Sequence, residues 1–261
     1  MFGLYRQLRK HDDLLYMLSR RDITVKYKQS VMGFMWAILM PLLITTAGVI
    51  VKTGIARVSG RSVHLDEVLG VMVKALPWSF FVASIRFSTS CLASNSDLVT
   101  KIAFPRAVFP LSAVASQLFD FGIAGSVMLV FFTIAGVGVS VHLLWVPLLL
   151  AMLIAQAAAL ALLLSSANLF FRDVKYLVEV VLTFAIFFTP VFYDVEMMGR
   201  WGQVLLLNPV APILVSLSDV VVGHRAPPLP WVAYSFAWSL LGLVLAPAFF
   251  NRLEPKFAEV V

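Results

Sequence analysis

Six stretches of about 20 mostly apolar residues, separated by short polar connections, constrain this chain more than any other feature. A helix needs about 20 such residues to cross the ~30 Å hydrocarbon layer of a bilayer, and a helix satisfies its own backbone polar groups there. The runs lie near Val31–Val51, Val68–Ala93, Val108–Val137, Leu143–Phe170, Tyr176–Tyr193 and Trp231–Phe250. Hydrophobic residues make up 61% of the 261 positions and charged residues 13%, against about 45–50% and about 25% in soluble domains. That balance excludes disorder, argues against a soluble enzyme, and points to an all-α integral membrane protein with six transmembrane helices.

Between the fifth and sixth runs, Asp194–Pro230 is interrupted by Gly199, Gly202, Pro209, Pro212 and Gly223 yet keeps apolar pieces at Val204–Leu207 and Ile213–Val222. It reads as one or two short helices at the membrane interface or re-entering from it, shielded by protein or water. Lysine and arginine orient the whole. With the N-terminus inside, the inner segments hold thirteen of the twenty basic residues and the outer segments five, which places both termini in the cytoplasm. The charge of +6 therefore reflects membrane topology rather than nucleic-acid binding. Residues 1–30 lack an apolar core and a cleavage site and are expected to stay in the mature protein. Leu4, Leu8, Leu14, Leu15, Leu18 and Ile23 recur there among charges. Two readings stay open, a basic helix lying on the inner membrane surface or a simple positive-inside anchor. Residues 31–261 form one six-span domain.

No chemistry of catalysis is apparent. The single cysteine, Cys91, and four scattered histidines supply no multi-thiolate or HExxH metal site. The phosphate-cradling GxxxxGK[ST] loop is missing as well. If ATP drives this protein, another polypeptide binds the nucleotide and its magnesium. An enzyme acting on polyprenyl phosphates would need clustered carboxylates or histidines, whereas Asp97 and Asp173 fall in separate inner loops.

The loop Asn95–Pro110 reads as a short helix capped by Ser94, Asn95 or Ser96, with Asp97 in its first turn, Lys101 near its end and Pro105 as its stop. Its apolar Leu98, Ile102 and Phe104 either dip into the lipid interface or dock on a partner. Lys74, Arg86, Asp120 and Glu179 are ionisable residues within runs, where charge is costly and is paired or functional. The sequence suggests an Arg86–Asp120 pair, Glu179 beside Lys175, and Lys74 snorkelling outward. Pro41, Pro77 and Pro190 mark kinks. Phe34, Trp36, Trp78, Phe80 and Phe81 can stack on sugar rings along a channel or serve as packing and interfacial aromatics. Arg20, Arg21, Lys26 and Lys28 sit at headgroup level, as an anchor or as a diphosphate-binding surface.

Five stretches carry a resemblance. Arg21–Leu43, Lys101–Pro110, Asn168–Tyr176, Thr189–Tyr193 with Leu207-Asn208-Pro209, and Phe250–Glu259 together resemble, in order and over nearly the whole chain, the permease subunits of ABC type-2 polysaccharide exporters. These handle O-antigen, teichoic acid and capsule precursors. The resemblance implies a homodimer bound to two copies of an ABC nucleotide-binding subunit in the bacterial inner membrane, exporting an undecaprenyl-diphosphate-linked glycan. It implies no enzymatic activity and no cofactor in this chain. It also implies an ATPase-coupling helix built from Asn95, Asp97, Leu98, Lys101, Ile102, Phe104, Pro105 and Arg106. A gate helix over Ser19–Gln29 would carry Arg20, Arg21, Lys26 and Lys28, and Met197–Val222, with Asn208 and Pro209, would form a periplasmic gate. Where the family pattern has an arginine before the aspartate near the end of that gate, this chain has Ser218-Asp219. A small hydrophobic substrate is the alternative cargo, and a passive channel the alternative class.

Overall fold

A computed structural model describes residues 12–28, 33, 35–58, 64–101 and 105–257, and every regular element among them is helical. In chain order these are α1 (Asp12–Lys28), α2 (Met35–Val58), α3 (Leu65–Ser94), α4 (Ser96–Lys101), α5 (Val108–Ile134) and α6 (Val146–Phe170), the last led by a 3-10 turn at Val141–Trp145. Then follow α7 (Val174–Ala185), a 3-10 turn at Val195–Met198, α8 (Arg200–Leu205), α9 (Ala211–Val221) and α10 (Leu229–Leu253), the last closed by a 3-10 turn at Glu254–Lys256. Phe34, Ile102 and Phe104, and the side chain of Lys101, lie outside the described residues.

Among the described residues, five helices are long and apolar enough to cross a membrane, α2, α3, α5, α6 with its leading turn, and α10 with its closing turn. The chain is thus a multi-pass membrane protein. The expected sixth, Tyr176–Tyr193, is not one continuous helix. Its helical part, α7, has 12 residues, a rise of about 18 Å. Past Ala185 the Phe187 and Phe188 N–H groups turn to carbonyls three residues back, and Thr189-Pro190 keeps the helix from resuming, because proline has no N–H to give and disfavours helical backbone in the residue before it. Pro190 therefore sits beyond the helix rather than kinking one, while Pro41 and Pro77 lie inside α2 and α3. The chain beyond α7 finds its hydrogen bonds within the protein. Thr189 Oγ1 donates to the Ala185 carbonyl at 2.8 Å, the Val191 N–H to Thr189 O at 2.7 Å, and the Tyr193 hydroxyl to Phe187 O at 2.8 Å.

The most enclosed helix is α3, which packs against α2, α5, α6, α7 and α9. Phe80 meets Phe121 at 5.4 Å between ring centroids, and Val68 and Phe131 share a groove farther along, so α3 and α5 are antiparallel. By contrast α6 and α10 run parallel. Ser239 Oγ donates to Met152 O at 3.2 Å near one end, Gly242 abuts Ala159 midway, and Phe170 lies 5.9 Å from Phe257 at the other. A parallel pair requires the connecting residues 171–228 to travel from one end of the bundle to the other. Two apolar cores result. One joins α3, α6 and α9 through Trp78, Met152 and Leu214, and the other joins the ends of α3, α5, α6 and α10 through Leu92, Phe109, Leu169 and Phe250.

Against this second core lies α1, through Leu14, Leu15 and Leu18. It runs lengthwise along α5, with Asp22 facing Ser112 and Lys26 facing Gln117 and Asp120. The apolar stripe read from the sequence is therefore spent at least partly on protein.

Candidate functional site

A groove of about 510 Å³ opens between α1, α2, α3, α5 and α7. Three of the predicted aromatics, Trp36, Trp78 and Phe80, line it, together with Phe87 and Phe121. Phe81 stacks on Trp78 at 5.9 Å but does not line it. Four charged residues stand in or beside these walls, and their partners differ from those suggested by spacing.

Arg86 does not pair with Asp120. Its Nε donates to both oxygens of Glu179, at 2.7 and 3.0 Å, because α7 lies on the same side of α3 as Arg86. Glu179 consequently does not rest on Lys175, whose ammonium lies 4.7 Å from the Tyr176 ring centroid. Asp120 instead accepts from Lys26 Nζ and from the Tyr27 hydroxyl, tying the last turn of α1 to α5. Burial, reinforced by the Asp120 carboxylate, pushes the Tyr27 phenol above its ordinary value, so it stays protonated and donates. Lys26 also lies 5.1 Å from the Phe87 ring centroid, a cation–π distance. Among the predicted diphosphate-binding cations, Lys26 is thus engaged by protein, Arg21 pairs with its neighbour Asp22 at 2.9 Å, and Arg20 and Lys28 are exposed.

At the far end of α3 a second charged cluster holds the segment after α7. Lys74 does not snorkel outward. It is 2% exposed and donates to Tyr193 O at 3.1 Å and Asp194 at 3.2 Å. Asp194 also accepts from Lys52 at 2.8 Å, and Lys52 lies 3.4 Å from Glu67. Two buried ammoniums thus meet two carboxylates, the condition under which buried charge is tolerated. The role of Lys52 was missed in the sequence, although a lone lysine closing the apolar run Val49–Val51 is a signal of the kind that singled out Lys74. The same segment needs Gly48, where a Cβ would lie 2.5 Å from Phe192 Cδ1 and 2.7 Å from Val71 Cγ1.

Asn208 and Pro209 form a junction beneath α9. Asn208 Nδ2 donates to Thr189 Oγ1 at 3.0 Å while its Oδ1 accepts the Val210 N–H at 3.2 Å. The Pro209 carbonyl accepts from Ser235 Oγ at 2.8 Å and Gln156 Nε2 at 3.4 Å, so α6 and α10 both grip it. Asp219 near the end of α9 pairs with Arg225 of the following loop, at 2.6 Å.

At the opposite end of the bundle, the predicted partner-docking loop begins as a short helix, Ser96–Lys101, and the Asn95 carbonyl accepts the Leu98 N–H at 3.0 Å. The Asn95 side chain donates back to Cys91 O at 2.8 Å and so closes α3. Asp97 is exposed, Leu98 is half-buried against the second core, and Pro105 is buried. Arg106 is held from behind, its backbone N–H donating to Glu254 Oε1 at 2.8 Å and its guanidinium to Glu254 O. The turn into α7 is fastened by Asn168, whose Oδ1 accepts the Lys175 N–H at 3.1 Å. Four of the resembling stretches therefore meet one another or fasten an adjoining turn.

The chain is 28% identical over 264 residues to the O-antigen export system permease protein RfbA of Myxococcus xanthus, covering all of both chains. It is 26% and 27% identical to two proteins of that name from Klebsiella pneumoniae, over 95% of each chain. The family described as ABC-2 type transporter matches residues 13–222. A match over that much of a chain with five membrane-length helices places it without ambiguity, and the chain belongs to the ABC-2 type transporter family.

Proposed function

We propose that this chain is the permease subunit of an ATP-driven exporter that moves an undecaprenyl-diphosphate-linked polysaccharide of the O-antigen type out of the cytoplasm across the inner membrane. The observation that carries the reading is the end-to-end similarity to permease proteins of O-antigen export systems. The aromatic and charged groove supports it, because stacking faces suit sugar rings and hold them only modestly. Two copies of the chain work with two copies of an ABC nucleotide-binding subunit, which binds ATP and magnesium. The loop 95–106 docks on that subunit, and α1 is the gate helix beside the groove. The parallel course of α6 and α10 supports a sixth crossing between them, built from α7 and the internally hydrogen-bonded residues after it, with both termini cytoplasmic. Teichoic acid, capsule or a small hydrophobic compound is the alternative cargo.

Purification of the tagged permease in mild detergent, from cells expressing the neighbouring genes, tests the assembly. A co-purifying subunit with ATPase activity is the expected result. An ATPase-free protein would favour a passive channel.

A further inference from the structure

One cation of the groove is only partly used. Arg86 engages Glu179 through Nε alone, and its two terminal nitrogens have no hydrogen bond to any described residue. A guanidinium carries five N–H donors in a planar fork and satisfies a carboxylate best through two nitrogens at once. Here the Nε side is held and the rest of the fork is left over.

The surroundings make that remainder meaningful. Both side chains of the pair are 46% exposed, and the face of α7 around Glu179 exposes Leu177, Val180, Val181 and Phe184 along with Tyr176 and Thr183. Charges that exposed on apolar helices are unstable against hydrocarbon and must border water or a polar ligand. Arg86 lines the groove between Ala83 and Phe87, facing the same space as Trp78 and Phe80. The other charged pair of this groove is more enclosed, with Lys26 at 32% and Asp120 at 14%. Lys26 moreover spends its ammonium on both Asp120 and Gln117. Among these cations Arg86 alone combines a place on the wall, exposure and spare donors.

We propose that Arg86 is the phosphate-binding residue of this groove, its terminal nitrogens taking the diphosphate of a polyprenyl-linked substrate while Glu179 holds Nε and keeps the affinity low. This rests on the lipid-linked reading given above. A fork presented to two phosphoryl oxygens is the geometry in which arginine binds phosphate best. A carrier must also let go, and the Glu179 carboxylate opposes the incoming anion at short range. The pair is therefore a tuned site rather than a strut, and its two members have opposite effects on binding.

The test uses the whole exporter, permease with its ATPase subunit, in nanodiscs. Undecaprenyl diphosphate is titrated while tryptophan fluorescence is followed, since Trp36 and Trp78 lie on the groove walls. Undecaprenol and inorganic diphosphate are the comparison probes, separating the phosphate contribution from that of the lipid. Wild type should saturate with undecaprenyl diphosphate and bind undecaprenol far less. Arg86→Gln should weaken binding about tenfold, Arg86→Lys should recover part of it, and Glu179→Gln should tighten it about threefold. Unchanged affinity in Arg86→Gln, or weakening by both Arg86→Gln and Glu179→Gln alike, would overturn the assignment while leaving the lipid-linked reading intact. Wild type blind to undecaprenyl diphosphate would instead remove the lipid-linked reading, and this assignment with it. The Glu179→Gln measurement stands even if Arg86→Gln folds poorly.

Discussion

Asp194 joins Lys52 of α2, at 2.8 Å, to Lys74 of α3, at 3.2 Å. Replacing it by asparagine leaves two buried ammoniums short of an anion. Loss of one partner of a buried pair costs about 3–5 kcal/mol, and the partial exposure of Asp194 reduces this to about 2–3 kcal/mol. Asp194→Asn is expected to lower the thermal unfolding temperature of the purified complex by several degrees, and an unchanged transition would refute the role. Burial alone would raise the Asp194 carboxyl above its ordinary value, but Lys74 and Lys52 outweigh it and hold it below. Its contribution is therefore complete above the unfolded value of about 3.9 and is lost only as pH falls through the lower folded value. Melting temperatures should show no loss from this group between pH 8 and pH 5.

Gly48 is the position where α2 admits Phe192. A methyl group there would overlap the Phe192 ring and Val71. Gly48→Ala is expected to destabilise by about 1–3 kcal/mol through overpacking, and Phe192→Leu in the same chain should restore much of it. Additive losses in the double variant, measured by denaturant unfolding, would show that the contact is not the cause.

Asp120 fastens α1 to α5 through Lys26 and Tyr27. Asp120→Ala should free the last turn of α1 and leave the Leu18 contacts in place. Limited proteolysis after Lys26 or Lys28 is expected to become about tenfold faster, following the local opening equilibrium. Equal cleavage rates would mean that the apolar contacts alone hold the helix.

The loop after α3 carries the proposed link to the ATPase. Asp97 is exposed and lies outside both apolar cores, so Asp97→Arg tests docking while the apolar packing stays in place. ATPase co-purification and surface glycan should fall at unchanged membrane levels of the permease, and Phe104→Asp should do the same. Leu98→Asp is a poorer probe, since Leu98 packs against the second core and its loss would also weaken the fold.

Much of this arrangement is legible in the sequence because lipid imposes a length. The five long helices follow from apolar runs of about 20 residues, and Trp36, Trp78, Phe80 and Lys26, which stand out in the sequence by type and position, meet in one groove. What spacing cannot supply is the partner across the bundle. Helical offsets suggest Lys175 for Glu179, yet the partner is Arg86, 93 positions away in the chain. Arg86 and Asp120 look matched on paper and point to different neighbours. The broken sixth run misleads for a related reason, since hydropathy counts apolar residues and is blind to the break between Ala185 and Pro190. Backbone hydrogen bonded inside the protein can lie at membrane depth without being helical.

ATP-driven movement of a lipid-linked glycan is the activity proposed for this chain and its ATPase subunit. Proteoliposomes holding the permease and its ATPase subunit, loaded with a fluorescent undecaprenyl-diphosphate-linked oligosaccharide in the outer leaflet, test it most directly. Addition of ATP and magnesium should move the label to the interior and protect it from an external glycosidase, with no protection when the ATPase subunit is omitted. Label that stays accessible with ATP, or becomes protected without the ATPase subunit, would contradict the account.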